Sequence, residues 1–289
     1  MAPLASRSGH GLLRCPVCRL DLTVAEGALV CRNRHGFDLA REGYVNLLRS
    51  GRRRPAAGGD SSAQLGHRRS FLDAGHFDAI ASAIARHVQH AGAKPPYGCW
   101  HVLDGGFGTG HHLARLEAAL SLPSIGLGLD IAKDAARHAA RRWPRLAFAV
   151  ADLWAEWPVK DAAVDLVISI FAPRNFPEAA RVLRRGGWIA VAYPGPEHLR
   201  ELGHRFGLLN HHARKSERIV AEANHWIGAP TIVRHRREVI LDGVAVRAAI
   251  MMGPNAHHIA PSMLAAGIGP MAVTFDIAIL LARTREKMP

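Results

Sequence analysis

The sequence has few cysteines, few aromatic residues and no long apolar run. Cysteine occurs 4 times in 289 residues, and Phe, Trp and Tyr together make up 6%. Because no run of about 18 apolar residues is present, a transmembrane helix is not expected. Residues 1–11 lack the apolar core of a signal peptide, which favours a cytoplasmic protein. In that reducing compartment, closely spaced cysteines are interpreted as metal ligands before disulfides.

Acidic residues are also scarce. The chain has 24 Asp and Glu against 37 Lys and Arg, a net charge of +13, and most of the positive charge is arginine. Such an excess indicates an anionic partner. Nucleic acid is favoured over a membrane, because no basic amphipathic helix with a Trp, Phe or Leu face stands out.

Three of the four cysteines lie in one metal-ligand pattern, Cys15-x2-Cys18-x12-Cys31-x3-His35. Three thiolates and one imidazole are the ligands of a closed, structural zinc site, which leaves no position for water. Gly36 is expected to turn the chain away from the site. Cys99 stands apart and is interpreted as a buried, inert thiol. A unit as short as residues 12–48 buries little core, so zinc is expected to supply much of its folding free energy.

A glycine loop, Gly105–Gly110, follows an apolar stretch that ends at Asp104. Dinucleotide-binding proteins need a further glycine where this chain has His111. Two more acids end the next predicted strands: Asp130 can hold ribose hydroxyls, and Asp152 can meet an adenine amino group. S-adenosylmethionine has ribose and adenine but no phosphate, so it fits this set. The predicted cofactor-binding residues here are Asp104, Gly106, Gly108, Thr109, Gly110, Asp130 and Asp152.

From Trp100 onward, strand and helix patterns alternate, which indicates an α/β fold with a mostly parallel sheet and helices on both faces. Strands are predicted at 100–104, 125–130, 146–150, 164–171 and 188–193, and helices at 111–121, 132–143, 177–184 and 196–206. Further along, the pattern predicts a helix at 214–225, a strand at 230–241, a helix at 243–252 and a strand at 271–282. The last two strands are expected to pair antiparallel at the sheet edge.

Three parts of the chain are predicted: a zinc-binding module at 1–48, a linker and helical connector at 49–98, and a Rossmann-like domain at 99–289. Residues 49–63 are rich in Arg, Gly and Pro and indicate a flexible basic linker. Apolar residues recur at helix period over 64–92, with Asp60 or Ser61 as the candidate N-cap.

Several segments together carry a family resemblance: Cys15–Cys18, His35–Asp38, Arg41–Leu48, Gly59–Ser61, Arg69–His76, the glycine loop, Phe171–Asn175, Leu183–Trp188 and Pro194–Leu199. In these segments the chain resembles the bacterial 23S ribosomal RNA guanine-N1 methyltransferases, a family that includes tylosin-type macrolide-resistance members. The resemblance extends over about residues 12–202 and is most specific in the stretches 37–48 and 71–76.

The resemblance implies a class I (Rossmann-like) S-adenosylmethionine-dependent methyltransferase sheet with a small N-terminal zinc-binding module for RNA recognition. It also implies zinc at the four ligands above and cofactor contacts at Gly108, Thr109 and His198. The family places a tyrosine contact where this chain has Phe77. The Phe77 ring could still stack on the cofactor, but it has no hydroxyl group.

Methyl transfer to guanine N1 needs the N1 proton removed, or its acidity raised by a donor to O6. The segment 171–175 follows the fourth predicted strand, at the sheet end where ligands bind in such folds. Arg174 and Asn175 are therefore the predicted catalytic residues. Arg174 would donate to O6 or to a phosphate, and Asn175 would read the base edge. The alternative is that Arg174 and Asn175 are turn residues that cap the helix at 177–184 and have no role in catalysis.

Base pairing masks N1, so the target guanine must be unpaired or flipped out, which needs aromatic stacking surfaces. Phe171, Phe176 and Trp188 are the candidates, although core packing is favoured for Trp188. The predicted function is methyl transfer from S-adenosylmethionine to N1 of a guanine in a 23S rRNA hairpin near the macrolide-binding exit tunnel, with macrolide resistance as an open role. The predicted partner is 23S rRNA and not a membrane, and a homodimer stays open.

Two alternatives remain. A non-catalytic RNA-binding relative that keeps the fold is favoured by Phe77 and Phe107. A methyltransferase acting on a small metabolite would leave the positive charge and the zinc module without a purpose.

Overall fold

An eight-stranded sheet with helices on both faces forms the centre of the fold, and a small three-stranded sheet precedes it. The computed structural model describes residues 7–49, 59–208, 214–253, 256, 259 and 267–285. The strands are β1 (Leu22–Ala25), β2 (Ala28–Cys31), β3 (Gly36–Asp38), β4 (Val45–Asn46), β5 (Trp100–Gly105), β6 (Ser124–Asp130), β7 (Ala147–Val150), β8 (Val164–Ile170), β9 (Leu183–Pro194), β10 (Thr231–Leu241) and β11 (Met271–Arg283). The helices are α1 (Ser62–Asp73), α2 (Asp78–His90), α3 (His111–Ala119), α4 (Lys133–Arg142), α5 (Phe176–Val182), α6 (Arg200–Phe206), α7 (Arg214–Trp226) and α8 (Gly243–Met251), and a short 3-10 helix spans Ser8–Leu12.

The large sheet has the strand order β10-β11-β9-β8-β5-β6-β7-β4. The strands from β9 to β4 pair in parallel, whereas β11 pairs antiparallel with both β9 and β10. Every residue of β7 and β8 is buried, as expected for strands covered on both faces. The order confirms the predicted α/β sheet of class I methyltransferase type, and β10 with β11 confirms the predicted antiparallel pair.

Most predicted elements from residue 100 onward match the observed ones to within about two residues. Two start elsewhere. Strand β9 begins at Leu183 rather than at 188, and helix α6 begins at Arg200 rather than at 196. The helix starts late because Leu199 has a left-handed φ of 57° and the preceding residues form a loop.

Two helices replace the single helical stretch predicted at 64–92. Ser61 is the N-cap of α1, since its hydroxyl oxygen accepts a hydrogen bond of 3.2 Å from the backbone amide of Gln64. This confirms one of the two candidate caps. Between the helices, Gly75 has a φ of 78° and ends the first of them. Helix α2 packs against α3 and buries Ile80 completely.

The N-terminal segment shares its core with the large sheet. Strand β4 follows the small sheet and pairs in parallel with β7, where Val45 lies opposite Ala149. Leu13 forms an isolated β-bridge with Val159, and Leu29 belongs to the same buried apolar cluster as residues of β5 and β6. The unit predicted at residues 1–48 is therefore packed into the sheet along one edge.

Within the described residues, no helix is both long and apolar enough to cross a bilayer. Residues 50–58, which make up most of the predicted basic linker, lie outside the described ranges.

Candidate active site and metal centre

Cys15, Cys18, Cys31 and His35 lie together, and their ligand atoms are all within 4.8 Å of one another. Nδ1 of His35 is 3.6 Å from Sγ of Cys15 and 3.4 Å from Sγ of Cys31, and the sulfurs of Cys18 and Cys31 are 3.6 Å apart. A tetrahedral zinc ion with bonds of about 2.0–2.3 Å holds its ligand atoms roughly 3.5–3.8 Å apart. The cluster therefore has the donor set and the size of a structural zinc site.

Two tight turns present the four ligands. The backbone amide of Arg19 donates to the carbonyl of Cys15 at 2.9 Å, and that of Arg34 donates to the carbonyl of Cys31 at 2.8 Å. Arg19 and Arg34 have φ values of 64° and 61°, so each turn closes on a left-handed arginine. Gly36, predicted as the turning residue, instead lies in strand β3. That prediction was wrong because Arg34 makes the left-handed step two residues earlier.

The glycine loop joins the end of β5 to the start of α3 at the carboxyl edge of the sheet. Gly106, Gly108 and Gly110 have φ values of 89°, 53° and 72°. A Cβ on Gly106 would lie 2.4 Å from Cβ of Ala172, which belongs to the loop after β8. Thr109 is buried in the same loop. Only glycine at 106 lets the two loops touch, at the edge where ligands bind in such sheets.

Asp104 and Asp130 lie at the ends of the neighbouring strands β5 and β6, where the side chain of Asp104 is buried and that of Asp130 is partly buried. Asp130 accepts hydrogen bonds of 2.9 Å from the backbone amides of Gly108 and Ala132. Oδ2 of Asp104 has no hydrogen-bond partner among the described residues. Burial, reinforced by the charge of Asp130, raises the pKa of Asp104 to about 8, and burial also raises the pKa of Asp130. A buried carboxyl oxygen without a partner is a group that a bound cofactor would satisfy.

Asp152 lies in the loop after β7, at the third of three adjacent strand ends. Its Oδ1 accepts a hydrogen bond of 2.9 Å from the backbone amide of Trp154. The carbonyl of Asp130 accepts one of 2.9 Å from the amide of Ala151, which ties this loop to β6. The three predicted acids therefore follow β5, β6 and β7, and carboxylates in this row can accept from the hydroxyl and amino groups of a nucleoside.

Phe77 and His198, the other predicted cofactor contacts, meet in an aromatic cluster. The Phe77 ring is buried, with its centroid 5.3 Å from that of Phe171 and 6.0 Å from that of His198. The rings of Phe171 and His198 stack 5.8 Å apart at an angle of 25°. Phe275 on β11 was not predicted, and its centroid lies 5.1 Å from that of Phe77. The fold thus brings together rings from four distant segments.

The loop that carries His198 is fastened to β11 by Asp276, whose side chain is completely buried. This carboxylate accepts hydrogen bonds of 2.9 and 2.8 Å from the guanidinium of Arg234 and one of 3.0 Å from the amide of Glu197. The amide of Asp276 donates to Nδ1 of His198 at 3.3 Å, so the neutral imidazole carries its proton on Nε2. An acid inside the apolar strand β11 is the signal that would have pointed to Asp276.

Arg174 and Asn175, the predicted catalytic residues, lie in the loop after β8. Oδ1 of Asn175 accepts from the amide of Glu178 at 3.3 Å, and Nδ2 donates to the carbonyl of Leu153 at 3.0 Å. Asn175 thus caps α5 and clamps the Asp152 loop. Arg174 donates to the carbonyl of Ala172 at 3.4 Å, and burial lowers the pKa of its guanidinium. The guanidinium therefore lies in a partly desolvated position next to Ala172, and it interacts electrostatically with Glu222 and Arg218 of α7.

Three aromatic residues were candidates for stacking on a flipped base. Phe176 and Trp188 are buried in the core. Phe171 begins the loop after β8 with a left-handed φ of 52°, and 39% of it is exposed. A bulky residue rarely adopts this backbone conformation, which turns the Phe171 ring out of the strand. Of the three rings, that of Phe171 is the one accessible to a ligand.

Arg68 on α1 lies near the glycine loop and was not predicted. Its guanidinium forms an ion pair with Asp60 and donates to the carbonyl of Met252 at 2.8 Å. A Cβ on Gly108 would lie 2.9 Å from its Nη1 atom, so the guanidinium packs against the loop. The Gly59–Ser61 motif, which supplies Asp60, was the available signal for this position.

Two family models match the chain. A zinc ribbon described as "RlmA, N-terminal" matches residues 13–54, and a methyltransferase domain matches residues 102–187. The first covers all four metal ligands, and the second covers the glycine loop and the three acids. These matches and the geometry confirm the predictions of S-adenosylmethionine and of a structural zinc ion.

Three relatives are similar over much of the chain. A protein of Micromonospora griseorubida named as a 23S rRNA (guanine-N(1)-)-methyltransferase is 40% identical over 290 residues, covering 94% of this chain and 97% of that one. The 23S rRNA (guanine(748)-N(1))-methyltransferase of Streptomyces fradiae is 37% identical over 272 residues, covering 94% and 95%. A relative from Bacillus subtilis (strain 168) is also named for guanine-N1 methylation of 23S rRNA. It is 36% identical, and the matched region covers 66% of this chain and 67% of that one.

Proposed function

The chain belongs to the family of 23S rRNA (guanine-N1)-methyltransferases, and on that basis we propose that it transfers the methyl group of S-adenosylmethionine to N1 of a guanine in a 23S rRNA hairpin near the macrolide-binding exit tunnel. The observation that carries this proposal is the contact between the glycine loop and the loop after β8, where Gly106 meets Ala172. That contact puts the segment proposed to bind the base directly against the segment proposed to bind the cofactor.

On the cofactor side, S-adenosylmethionine supplies a methyl group activated by its sulfonium charge. Asp130 and Asp152 accept hydrogen bonds from the ribose and the adenine. Asp104 accepts from the cofactor through its unpartnered Oδ2. Arg68 packs against Gly108 and can pair with the carboxylate of the cofactor's methionine part. The buried ring of Phe77 contributes an apolar surface and cannot supply the hydroxyl of a tyrosine.

On the base side, the exposed face of Phe171 stacks on the flipped guanine, with His198 and Phe77 supporting the ring from behind. Arg174 donates a hydrogen bond to guanine O6. This donation lowers the pKa of N1–H, so that the proton leaves to solvent as the methyl group bonds to N1. Asn175 keeps the loop in place through its cap of α5 and its bond to Leu153. Catalysis is mainly alignment of N1 with the methyl group.

The test uses the full chain, labelled S-adenosylmethionine and a transcribed 23S rRNA hairpin that contains the guanine numbered 748 in the name of the Streptomyces fradiae relative. A methyl group on N1 blocks Watson–Crick pairing, so primer extension should stop at the modified guanine. Replacing Arg174 by Met should lower kcat roughly 100-fold with little change in the affinity for S-adenosylhomocysteine. The matched control is Arg86→Met, at an exposed position of α2.

Two results would redirect the proposal. If the protein binds both S-adenosylhomocysteine and the hairpin but leaves no methyl group, it is a non-catalytic RNA-binding relative. If methylation occurs at another guanine of 23S rRNA, the chemistry stands and the proposed position does not.

The biological setting is part of the same proposal. An enzyme that modifies 23S rRNA works in the cytoplasm, where ribosomes assemble, and methylation near the exit tunnel would confer macrolide resistance. Expression in a macrolide-sensitive host tests the last point by the minimal inhibitory concentration. A homodimer would use the outer edge of β10, the terminal strand of the sheet, and sedimentation of the purified protein decides between monomer and dimer.

A further inference from the structure

A cleft of about 470 Å³ lies where the zinc-binding segment meets the loops after β7 and β8. It is shallow and open to solvent. Arg14 and Arg19 line it from the zinc-binding segment. The other lining residues come from the segment between β7 and β8 and from α5 with its N-cap: Trp154, Ala155, Glu156, Asp161, Asn175, Glu178 and Arg181.

The charged groups of the cleft neutralise one another. Arg14 binds Glu156 at 2.5 Å and Asp161 at 2.8 Å, and Arg19 binds Glu156 at 2.8 Å. Arg181 pairs with Asp161 and with Glu178. Three arginines thus face three carboxylates, so charge alone does not make the cleft a phosphate site. These ion pairs join the zinc-binding segment to the sheet and fix the shape of the cleft.

What distinguishes the cleft is the indole of Trp154, since 69% of this residue is exposed. Its backbone is nevertheless held firmly. The amide of Trp154 donates to Asp152 at 2.9 Å, and Nδ2 of Asn175 donates to the carbonyls of Leu153 and Ala155 at 3.0 and 3.4 Å. A large, flat, exposed ring is therefore carried by a loop whose backbone is held in place, which is the property of a stacking platform.

We propose that Trp154 stacks on an unpaired RNA nucleotide next to the flipped guanine. The proposal rests on the proposed function, since it takes RNA as the substrate. Asn175 connects the two positions, because it lies in the loop that begins at Phe171 and also clamps the loop of Trp154. Stacking on an indole accepts any base, and the net charge of +13 favours RNA over an apolar protein partner.

The first test measures binding of the full chain to the transcribed hairpin and, separately, to S-adenosylhomocysteine. Trp154→Ala should weaken RNA binding roughly tenfold, Trp154→Phe should recover most of that loss, and both should bind S-adenosylhomocysteine like the wild type. Tyr97→Ala is the control, because Tyr97 is 80% exposed and lies before the amino end of β5, at the opposite edge of the sheet. Equal losses in Trp154→Ala and Tyr97→Ala, or none in either, would overturn the proposal.

The second test identifies the nucleotide. Abasic substitutions are placed one at a time on either side of the target guanine. At the stacked position, the abasic hairpin should weaken binding to the wild type but cause little further loss with Trp154→Ala, because the same contact is removed twice. Additive losses at every position would contradict the stacking site. Wild-type methylation of the intact hairpin separates the two proposals. If methylation occurs and Trp154 has no effect on binding, only the stacking site fails. If the hairpin binds with the expected dependence on Trp154 but is not methylated, only the proposed methyl transfer fails.

Discussion

The backbone amide of Gly108 donates a hydrogen bond of 2.9 Å to Oδ2 of Asp130, which joins the glycine loop to the end of β6. The other carboxylate oxygen accepts from the amide of Ala132 at 2.9 Å, just before α4 begins. Both oxygens of Asp130 therefore hold backbone groups in place, and their remaining acceptor capacity faces the edge of the sheet where the cofactor is proposed to bind.

Asp130→Asn should lower the affinity for S-adenosylmethionine by roughly 10- to 100-fold. The amide side chain keeps the shape but turns one acceptor into a donor, so either Gly108 or Ala132 loses a charge-assisted hydrogen bond. Calorimetry with S-adenosylhomocysteine measures the change. The control is Asp134→Asn, in the first turn of α4, where the side chain is partly exposed and pairs with Arg137. This variant should bind the ligand like the wild type. Unchanged affinity in Asp130→Asn would rule out a role for this carboxylate in cofactor binding.

Asp104 should make the ligand-free protein less stable as the pH rises. The pKa of Asp104 is about 8 in the folded chain and about 3.9 in the unfolded chain. Between these two pH values the folded chain keeps a proton that the unfolded chain has already released. The free energy of unfolding should therefore fall from about pH 4 to about pH 8, by up to about 5 kcal/mol, and the loss is complete above pH 8. Urea unfolding of wild type and Asp104→Asn at pH 5, 6.5 and 8 measures it.

The informative quantity is the stability difference between the two proteins, because other groups titrate equally in both. Asp104→Asn cannot ionise, so its advantage over the wild type should grow between pH 5 and pH 8. A difference that stays constant with pH would mean that Asp104 is ionised throughout. The same variant should bind S-adenosylhomocysteine more weakly above about pH 8, where the wild-type carboxylate accepts on both oxygens and the amide on only one.

The acids of the cofactor site were predictable because they follow the carboxyl ends of recognisable strands. Strands β5 to β8 are buried apolar runs, so their limits are visible in the sequence, and parallel topology then places Asp104, Asp130 and Asp152 at one edge. The clamp of Asp276 was not predictable in this way. It depends on the antiparallel insertion of β11 between β9 and β10, which brings Asp276 to Arg234 and to the loop of His198.

The N-terminal segment shows the same limit. The zinc ligands were predicted because their spacing is local. Strand β4 is only two residues long, which is too short to show the alternation of apolar and polar residues that marks a strand. Its pairing with β7 places Val45 opposite Ala149, a residue far away in the sequence. Arg7 is a second case, since its guanidinium donates to the carbonyls of Ala140, Trp143 and Leu146 at the end of α4. A helix end that is capped by a residue distant in the sequence shows no capping motif in its own local sequence.

Removal of zinc should destabilise the whole protein rather than the N-terminal segment alone. The segment supplies β4 to the large sheet and shares its apolar cluster, so its unfolding exposes sheet residues. Structural zinc contributes about 10 kcal/mol or more, and each kcal/mol shifts Tm by about 2–4 °C in a chain of this size. A strong chelator should therefore lower Tm by at least roughly 20 °C in a single transition. A separate early transition, with the main one unmoved, would show that the segment folds independently.

Cysteine variants provide the matched control for that experiment. Cys31→Ser should lose bound zinc and reproduce the low Tm without chelator. Cys99→Ser removes a thiol outside the metal cluster and should keep both the zinc content and the chelator-induced shift. Metal analysis and calorimetry on the three proteins decide the matter.

Gly195→Ala should disturb the His198 loop, because a Cβ at this position would lie 2.5 Å from Cγ of the buried Asp276. The backbone amide of Gly195 also donates to the carbonyl of Asp276 at 2.8 Å, so the loop cannot move away without losing a hydrogen bond. We expect the free energy of unfolding in urea to fall by about 1–3 kcal/mol and the affinity for S-adenosylhomocysteine to fall with it.

Gly66→Ala makes the same chemical change in the middle of α1, where a Cβ would meet no atom within 4 Å. It should raise the free energy of unfolding by up to about 1 kcal/mol, since alanine is the better helix former, and leave ligand affinity unchanged. Both variants change the entropy of the unfolded chain by the same amount. Opposite changes in the free energy of unfolding would therefore be due to the contact with Asp276. If Gly195→Ala is instead as stable as Gly66→Ala, the loop adapts freely and Asp276 does not hold His198 in position.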